Sequence, residues 1–379
     1  MTMKSILIEG WWFISHSYAV VNQFQTLEFL KQSDIKIFRR DMPYYGSSWK
    51  PTREIFSKTD EEKLFNIPVI LDDEIPDITY RIYGPFDFRR SKSSRTFVFG
   101  TTETKKVEID YLFGNIPLKE IIKNNDTYII TPSQWSREGF LNHGAEPERV
   151  RVIPHGVDIN IFNPRTKEQK LEQRKRSGLN GFVFFNNSAM AGSKGIDLLL
   201  KAFGIIIDKY PDTKLVLKGA DSLYPSSQAV TAYMESLPQN TIDKILPRLY
   251  YIGDNLSFSA MADLYHFADV YVAPYRAEGF NMPVLEAMAC GLPVLCTKGG
   301  PTDDFTDNSF ALHINSSNFH KNEGTYLEPD LDHLVELMIF SIENQDFRMQ
   351  AHRSGPLYVS QGYTWSHIVD QLLKLFSNP

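Results

Sequence analysis

At 379 residues the chain is long enough for two α/β domains, and 42% hydrophobic with 23% charged residues is the balance of an ordinary globular protein. A net charge of −6 argues against a general nucleic-acid binder. The two cysteines, Cys290 and Cys296, make neither a disulfide framework nor a metal cluster and read as buried free thiols; no apolar run nears the ~20 residues that would span a bilayer.

Met1-Thr2-Met3-Lys4 leads straight into a strand without the apolar core of a signal peptide, which points to a cytoplasmic protein. The first strand-like run, 5–9, ends in Glu9-Gly10-Trp11-Trp12-Phe13-Ile14-Ser15-His16-Ser17-Tyr18. Its single glycine is no dinucleotide fingerprint, and its three aromatics are split between a sugar-facing surface and the core. His16 opens the helical pattern 18–30, either as a capped surface residue or facing a ligand. Strand-like runs follow at 35–39, 78–83, 96–99, 127–131 and 150–153, with a short helical pattern at 119–123. Arg89, Arg90, Lys92 and Arg95 cluster beside Phe86 and Phe88, read as a solvated loop with weak peripheral membrane contact left open. Gly100-Thr101-Thr102-Glu103-Thr104 opens another loop, and Ser133 is placed to cap a helix.

The second half repeats the plan. Strand-like runs at 182–185, 214–218, 249–252, 270–273, 293–296 and 310–314 alternate with helical patterns at 196–208, 258–267 and 332–344. Such alternation predicts a parallel sheet covered on both faces, and two series predict two doubly wound, Rossmann-like domains with the ligand in the cleft between them. The boundary falls near Asn163-Pro164-Arg165, giving domains 1–163 and 164–358 and a closing helical segment 359–379. The charged stretch 167–176 reads as a surface connection.

The most informative stretch follows the apolar run 270–275. In Ala277-Glu278-Gly279-Phe280-Asn281-Met282-Pro283-Val284-Leu285-Glu286, Pro283 suits a first helical turn, and Gly291 with Pro293 ends the helix. Glu278 stands at the strand's exit and Glu286 inside the helix, with the backbone N–H groups of Gly279, Phe280 and Asn281 between them. A helix N-terminus attracts phosphate and carboxylates take hydroxyl groups; phosphate plus polyhydroxylated rings describes a nucleotide sugar. Gly192-Ser193-Lys194-Gly195 adds a lysine that can reach a phosphate, and Lys218 lies at a neighbouring strand's exit. Asp303-Asp304 and Asp330-Leu331-Asp332 lack a supporting set of oxygen ligands, so no metal is expected.

The segment EGFNMPVLEAMACGLPVL resembles the E-x7-E signature of retaining glycosyltransferases with the GT-B fold, glycosyltransferase family 4. The resemblance implies that Glu278 meets the donor sugar hydroxyls and Glu286 the ribose, with Gly279, Phe280, Asn281 and Met282 in the donor site. Ile153-Pro154-His155-Gly156-Val157-Asp158, followed by Phe162-Asn163-Pro164, matches the family's interdomain stretch, and 364–376 its closing helix, which there often returns to the first domain. The first domain is then the acceptor side and the second the nucleotide-sugar side. Gly10 corresponds to a glycine turn that faces the donor, and Glu103 loosely to a glutamate near the reacting carbon. Ser193 and Lys194 fall on an Arg-x4-Lys-Gly pattern whose arginine is replaced here by Ala189; Lys218 is either its substitute or a solvated lysine.

The activity implied is retaining transfer of a hexose from a UDP- or GDP-linked sugar to a hydroxyl of a glycan, lipid or protein acceptor, with no cofactor. Catalytic roles then fall to Glu278, Lys194, Glu103 and His16. Other readings are a nucleotide-sugar-binding pseudoenzyme, given Ala189; a phosphorylase, which needs a pyridoxal-phosphate lysine in a longer chain; and a nicotinamide oxidoreductase, which lacks its G-x-G-x-x-G here.

Overall fold

The computed structural model describes residues 3–71, 73–123, 125–178 and 180–379. They form two compact units, one of residues up to Gly156 with Tyr363–Pro379 and the other Val157–Gly362.

The first unit contains β1 (Ser5–Gly10), α1 (Ser17–Phe29), β2 (Lys36–Asp41), α2 (Lys58–Phe65), β3 (Ile78–Ile82), β4 (Arg95–Phe99), α3 (Leu118–Ile122), β5 (Tyr128–Thr131), α4 (Gln134–Asn142) and β6 (Val150–Val152). All pairings are parallel, in the order β2-β1-β3-β4-β5-β6. Strands such as β1, β3 and β4 are buried along almost their whole length, which is why they read as continuous apolar runs. The strand order reverses between β1 and β3, and the crevice at the carboxyl ends of such a pair is where open α/β sheets take ligands.

The second unit contains α5 (Lys167–Ser177), β7 (Phe182–Asn187), α6 (Ile196–Ile206), β8 (Thr213–Lys218), α7 (Ser226–Glu235), α8 (Gln239–Ile245), β9 (Leu249–Ile252), α9 (Phe258–Phe267), β10 (Val270–Ala273), α10 (Met282–Ala289), β11 (Val294–Thr297), β12 (Ala311–Ile314), β13 (Ser316–Lys321), β14 (Gly324–Pro329), α11 (Leu331–Glu343) and α12 (Gln345–Gly362). Its parallel sheet runs β12-β11-β10-β7-β8-β9, while β13 and β14 make a separate antiparallel hairpin. Here the order reverses between β10 and β7. Phe184, Leu199, Phe203, Leu215, Val272 and Leu295 belong to one buried core that joins sheet to helices.

The last helix, α13 (Trp365–Ser377), is part of the first unit. Trp365 stacks on Phe24 of α1 at 5.3 Å, and Phe376 packs against Phe97 at 4.6 Å and Tyr80 at 5.4 Å. Arg95 caps its end by donating to the carbonyls of Phe376 and Ser377.

Three features depart from the expectations. Residues 167–176 form a helix rather than a plain connection. Thr166 and Gln169 make a capping box, and Lys170 and Arg174 grip Asp269. The contacts divide at 156/157 and 362/363 rather than 163/164 and 358/359. Phe162 packs on Tyr265 and the Asn163 carbonyl lies 2.8 Å from His266 Nε2, both within the second unit, and α12 continues to Gly362. The hairpin β13–β14 gave no apolar alternation: β13 is largely exposed, and β14 is buried only at Gly324, Leu327 and Pro329.

Candidate functional site

In the second unit the strand-order reversal brings two loops side by side: residues 188–195 after β7 and 274–281 after β10. Ser193 O accepts from the N–H groups of Arg276 (2.7 Å) and Ala277 (3.1 Å), which staples the loops together. Gly195 is required there. Its φ is +68°, and a Cβ would lie 1.8 Å from the Pro274 carbonyl oxygen. The adjacent Lys194 Nζ stands 3.1 Å from Glu278 Oε1 and donates to the Ala277 carbonyl at 3.3 Å. Both side chains are largely enclosed. An ammonium and a carboxylate thus share one spot at the carboxyl ends of the two central strands.

Asn281, in the left-handed region at φ 78°, leads into α10, and Pro283 sits in its first turn. Phe280 is buried and stacks on Phe305 at 4.5 Å. Glu286 lies farther along α10, where Tyr265 of α9 donates to its Oε2 at 2.5 Å. Burial pushes the Glu286 carboxyl up to about 7, against the Tyr265 hydroxyl, which favours the charged form. Burial also raises the Tyr265 phenol, so it stays the donor.

Lys218 is buried rather than solvated. It lies across the β7–β8 ladder from Asn187, and its carbonyl accepts from Ser188, next to Ala189. Its ammonium donates to the Gly219 carbonyl. Burial lowers it to about 8, with Asp221 and Asp254 pulling the other way.

Asp303 accepts the Gly299 N–H at 2.8 Å and so closes a glycine turn, while Asp330 caps α11 by accepting from His333. Among the described residues no group of three or more His, Cys, Asp or Glu could hold a metal ion.

In the first unit Gly10 ends β1 with no room for a side chain, since a Cβ would stand 2.6 Å from Asn22 Nδ2. Trp11, Trp12 and Phe13 are all buried, so none offers its face to a sugar. The accessible rings come from the loop after β2 instead. Tyr45 is 53% exposed and 5.1 Å from Tyr111; Trp49 is half-buried, 5.1 Å from His16 and 5.6 Å from Trp11. His16 caps α1 through Nδ1, which accepts the Tyr18 N–H at 3.1 Å; burial lowers it to about 4, so it is a neutral ring. Glu103 is exposed and its carbonyl accepts from Trp135 Nε1. Phe86 and Phe88 are buried, and Arg89 pairs with Asp87 and lies over Phe113, so the basic cluster is tied into the unit rather than solvated throughout.

Sequence reasoning missed Tyr265, Tyr45, Trp49 and Arg276. An aromatic on an amphipathic helix looks like any core residue, and an arginine in a loop like any solvated one. Only the neighbours supplied by the fold distinguish them.

The family profile of the group 1 glycosyl transferases matches residues 180–320, the stretch that holds Lys194, Lys218, Glu278 and Glu286. The chain is 25% identical over 261 residues to a GDP-mannose-dependent monoacylated alpha-(1-6)-phosphatidylinositol monomannoside mannosyltransferase of Corynebacterium glutamicum, a match covering 66% of this chain and 61% of that one. It is 27% identical over 258 residues to D-inositol 3-phosphate glycosyltransferase 1 of Catenulispora acidiphila, covering 68% and 58%. The chain therefore spans about three fifths of the length of these curated relatives. Among solved structures, HepE of Anabaena in complex with UDP-glucose superposes with TM-score 0.71 at 15% identity over 99% of this chain and 100% of that one. Sucrose-phosphate synthase from Thermosynechococcus elongatus gives 0.70 at 15%, covering 99% and 98%. The fold is GT-B, and within it residues 180–320 are similar to the group 1 glycosyl transferases.

Proposed function

We propose that this protein is a retaining hexosyltransferase that moves a hexose from a UDP- or GDP-linked sugar to a hydroxyl acceptor, without a metal or other cofactor. The observation that carries the reading is the Lys194–Glu278 pair at the β7/β10 reversal, with Glu286 and Tyr265 on the elements behind it. In this reading Lys194, with the N–H groups of Gly279, Phe280 and Asn281, stabilises the charge that develops on the leaving diphosphate. Lys218 supplies the second cation in place of the arginine absent at Ala189. Glu278 leaves its ion pair with Lys194 to take sugar hydroxyls and favours a cationic, oxocarbenium-like ring. Glu286 accepts from the ribose.

The first unit provides the acceptor side. The exposed ring of Tyr45 and the half-buried Trp49, which lies against the neutral His16, suit the face of a sugar better than an alkyl chain, so a glycan is the favoured acceptor. Relatives that use GDP-mannose or act on inositol phosphate, and a fold neighbour bound to UDP-glucose, support a nucleotide-sugar donor.

A thermal-shift screen of UDP, GDP and their sugars tests the donor, since a ligand of the folded state raises stability by mass action. Anomeric NMR of the product of a matching donor tests retention. No stabilisation by any nucleoside diphosphate, or a product of inverted configuration, would overturn the reading.

A further inference from the structure

The most completely bonded side chain beside the donor loops is one that no motif marked. Arg276, two residues before Glu278, holds its guanidinium in a cage of its own. Nε donates to Glu328 Oε2 at 2.8 Å and Nη2 to Glu328 Oε1 at 3.0 Å. Nη1 and Nη2 donate to Asp197 Oδ1 and Oδ2 at 2.7 and 3.0 Å, and Nη1 also to the Gly192 carbonyl at 3.0 Å. Five hydrogen bonds use the full donor capacity of the fork, with both carboxylates held bidentate. The backbone of the same residue donates to Ser193 O and accepts from Leu327 N at 2.8 Å.

These partners lie on three elements. Gly192 and Ser193 belong to the turn that carries Lys194, Asp197 to the first turn of α6, and Glu328 to the hairpin β13–β14. Arg276 itself belongs to the loop that carries Glu278. One side chain therefore fixes the relative position of the two loops that present the ammonium and the carboxylate, and anchors both to the hairpin. A lysine could satisfy one carboxylate as a point charge but cannot fork to two. Without a guanidinium, Asp197 and Glu328 would face each other across an uncompensated gap.

We infer that Arg276 is a positioning residue for transfer: it sets Lys194 and Glu278 against the donor and ties their geometry to the β13–β14 hairpin. The inference rests on the proposed function for its kinetic consequence, but its geometric content stands apart from it. Glu286 sits on α10, outside the clamp, so nucleoside recognition persists when the clamp is loosened while the groups at the anomeric carbon drift.

The test uses the full chain with Arg276→Lys, and Glu328→Gln as a milder variant that keeps the arginine. With the nucleotide sugar that stabilises the wild type, Arg276→Lys should lower kcat for donor hydrolysis or transfer about a hundredfold, the scale of a small misplacement of reacting groups. The donor KM should stay within about threefold, because uniform binding is untouched. Glu328→Gln should show the same split with a smaller loss, and guanidinium ion should partly restore turnover to Arg276→Ala. Independently of any turnover, Lys194 should be acetylated by acetic anhydride several-fold faster in both variants than in the wild type, read by peptide mass spectrometry. Unchanged Lys194 labelling in both variants, or kcat and KM lost in parallel with no guanidinium rescue, would overturn the inference. A wild type without nucleotide-sugar turnover would instead count against the proposed function and leave the labelling result to decide this one.

Discussion

If Glu286 meets the ribose as a carboxylate, donor affinity must fall in mild acid. Burial raises this carboxyl from 4.5 to about 7, with the Tyr265 hydroxyl opposing. Ribose hydroxyls donate far more strongly to the ionised form, and these charge-assisted bonds favour it further once bound. Above about pH 7 the carboxylate is already formed and its contribution to affinity is constant. Below it each pH unit costs a factor of ten, so about pH 5 should weaken binding about a hundredfold, roughly 2.7 kcal/mol. Calorimetry with a nucleotide sugar is the suitable assay, because its diphosphate diester does not titrate in this range. Proton release on binding should be measurable in buffers of different ionisation enthalpy. Tyr265→Phe removes a hydrogen bond to the charged form and should move the inflection to higher pH; Glu286→Gln should abolish it. The free protein gives the opposite sign. A carboxyl raised on folding stabilises the fold below 4.5 and loses that contribution as pH rises through about 7. Affinity unchanged between about pH 8 and about pH 5, or an inflection that survives Glu286→Gln, would refute the assignment.

Glu278→Ala should chiefly lower kcat and Glu286→Ala chiefly raise the donor KM, because sugar orientation matters at the barrier whereas ribose contacts are uniform; steady-state kinetics with the matched donor decide. Lys218 gives the alkaline limb: its ammonium, lowered by burial to about 8, is lost above that pH, so donor affinity should decline there and Lys218→Met should remove the decline. Lys218→Ala should cost about 2–4 kcal/mol in transition-state stabilisation, partly recovered by Ala189→Arg; wild-type kinetics for Lys218→Ala would make it a structural lysine. Turnover should persist in excess chelator, and its loss with recovery on adding magnesium or manganese would contradict the proposed charge stabilisation by lysine and helix. Phe376→Ala on α13 should destabilise the first unit by about 3–5 kcal/mol in denaturant unfolding, given full burial against Phe97 and Tyr80.

The two parallel sheets were legible because strands buried on both faces write themselves as unbroken apolar runs. Val270–Ala273, buried throughout, falls where the pattern places it, as does the partly exposed edge strand Leu249–Ile252, and most other strands lie within a residue or two. What was not legible is polar or enclosed by partners distant in sequence. α5 carries no apolar stripe, because it is held by largely enclosed ion pairs from Lys170 and Arg174 to Asp269 rather than by burial of an apolar face. In the hairpin, β13 is mostly exposed and polar, and β14 is anchored to distant loops through Leu327 and Glu328.

At the candidate site the same division decides what a sequence can say. Glu278 and Glu286 are carried by one strand–turn–helix segment, so their spacing along the chain already encodes their spacing in space. Lys194 comes from another loop, and only the reversal of strand order between β7 and β10 brings it within 3.1 Å of Glu278. Arg276 and Tyr265 act entirely through such distant partners. The guanidinium clamp needs Asp197 from α6 and Glu328 from the hairpin, and the phenol needs Glu286 from the next helix. Chemistry confined to one turn survives in the linear pattern. Chemistry assembled across the sheet's switch point becomes readable only when the strand order is known, and that is where Arg276 has to be tested.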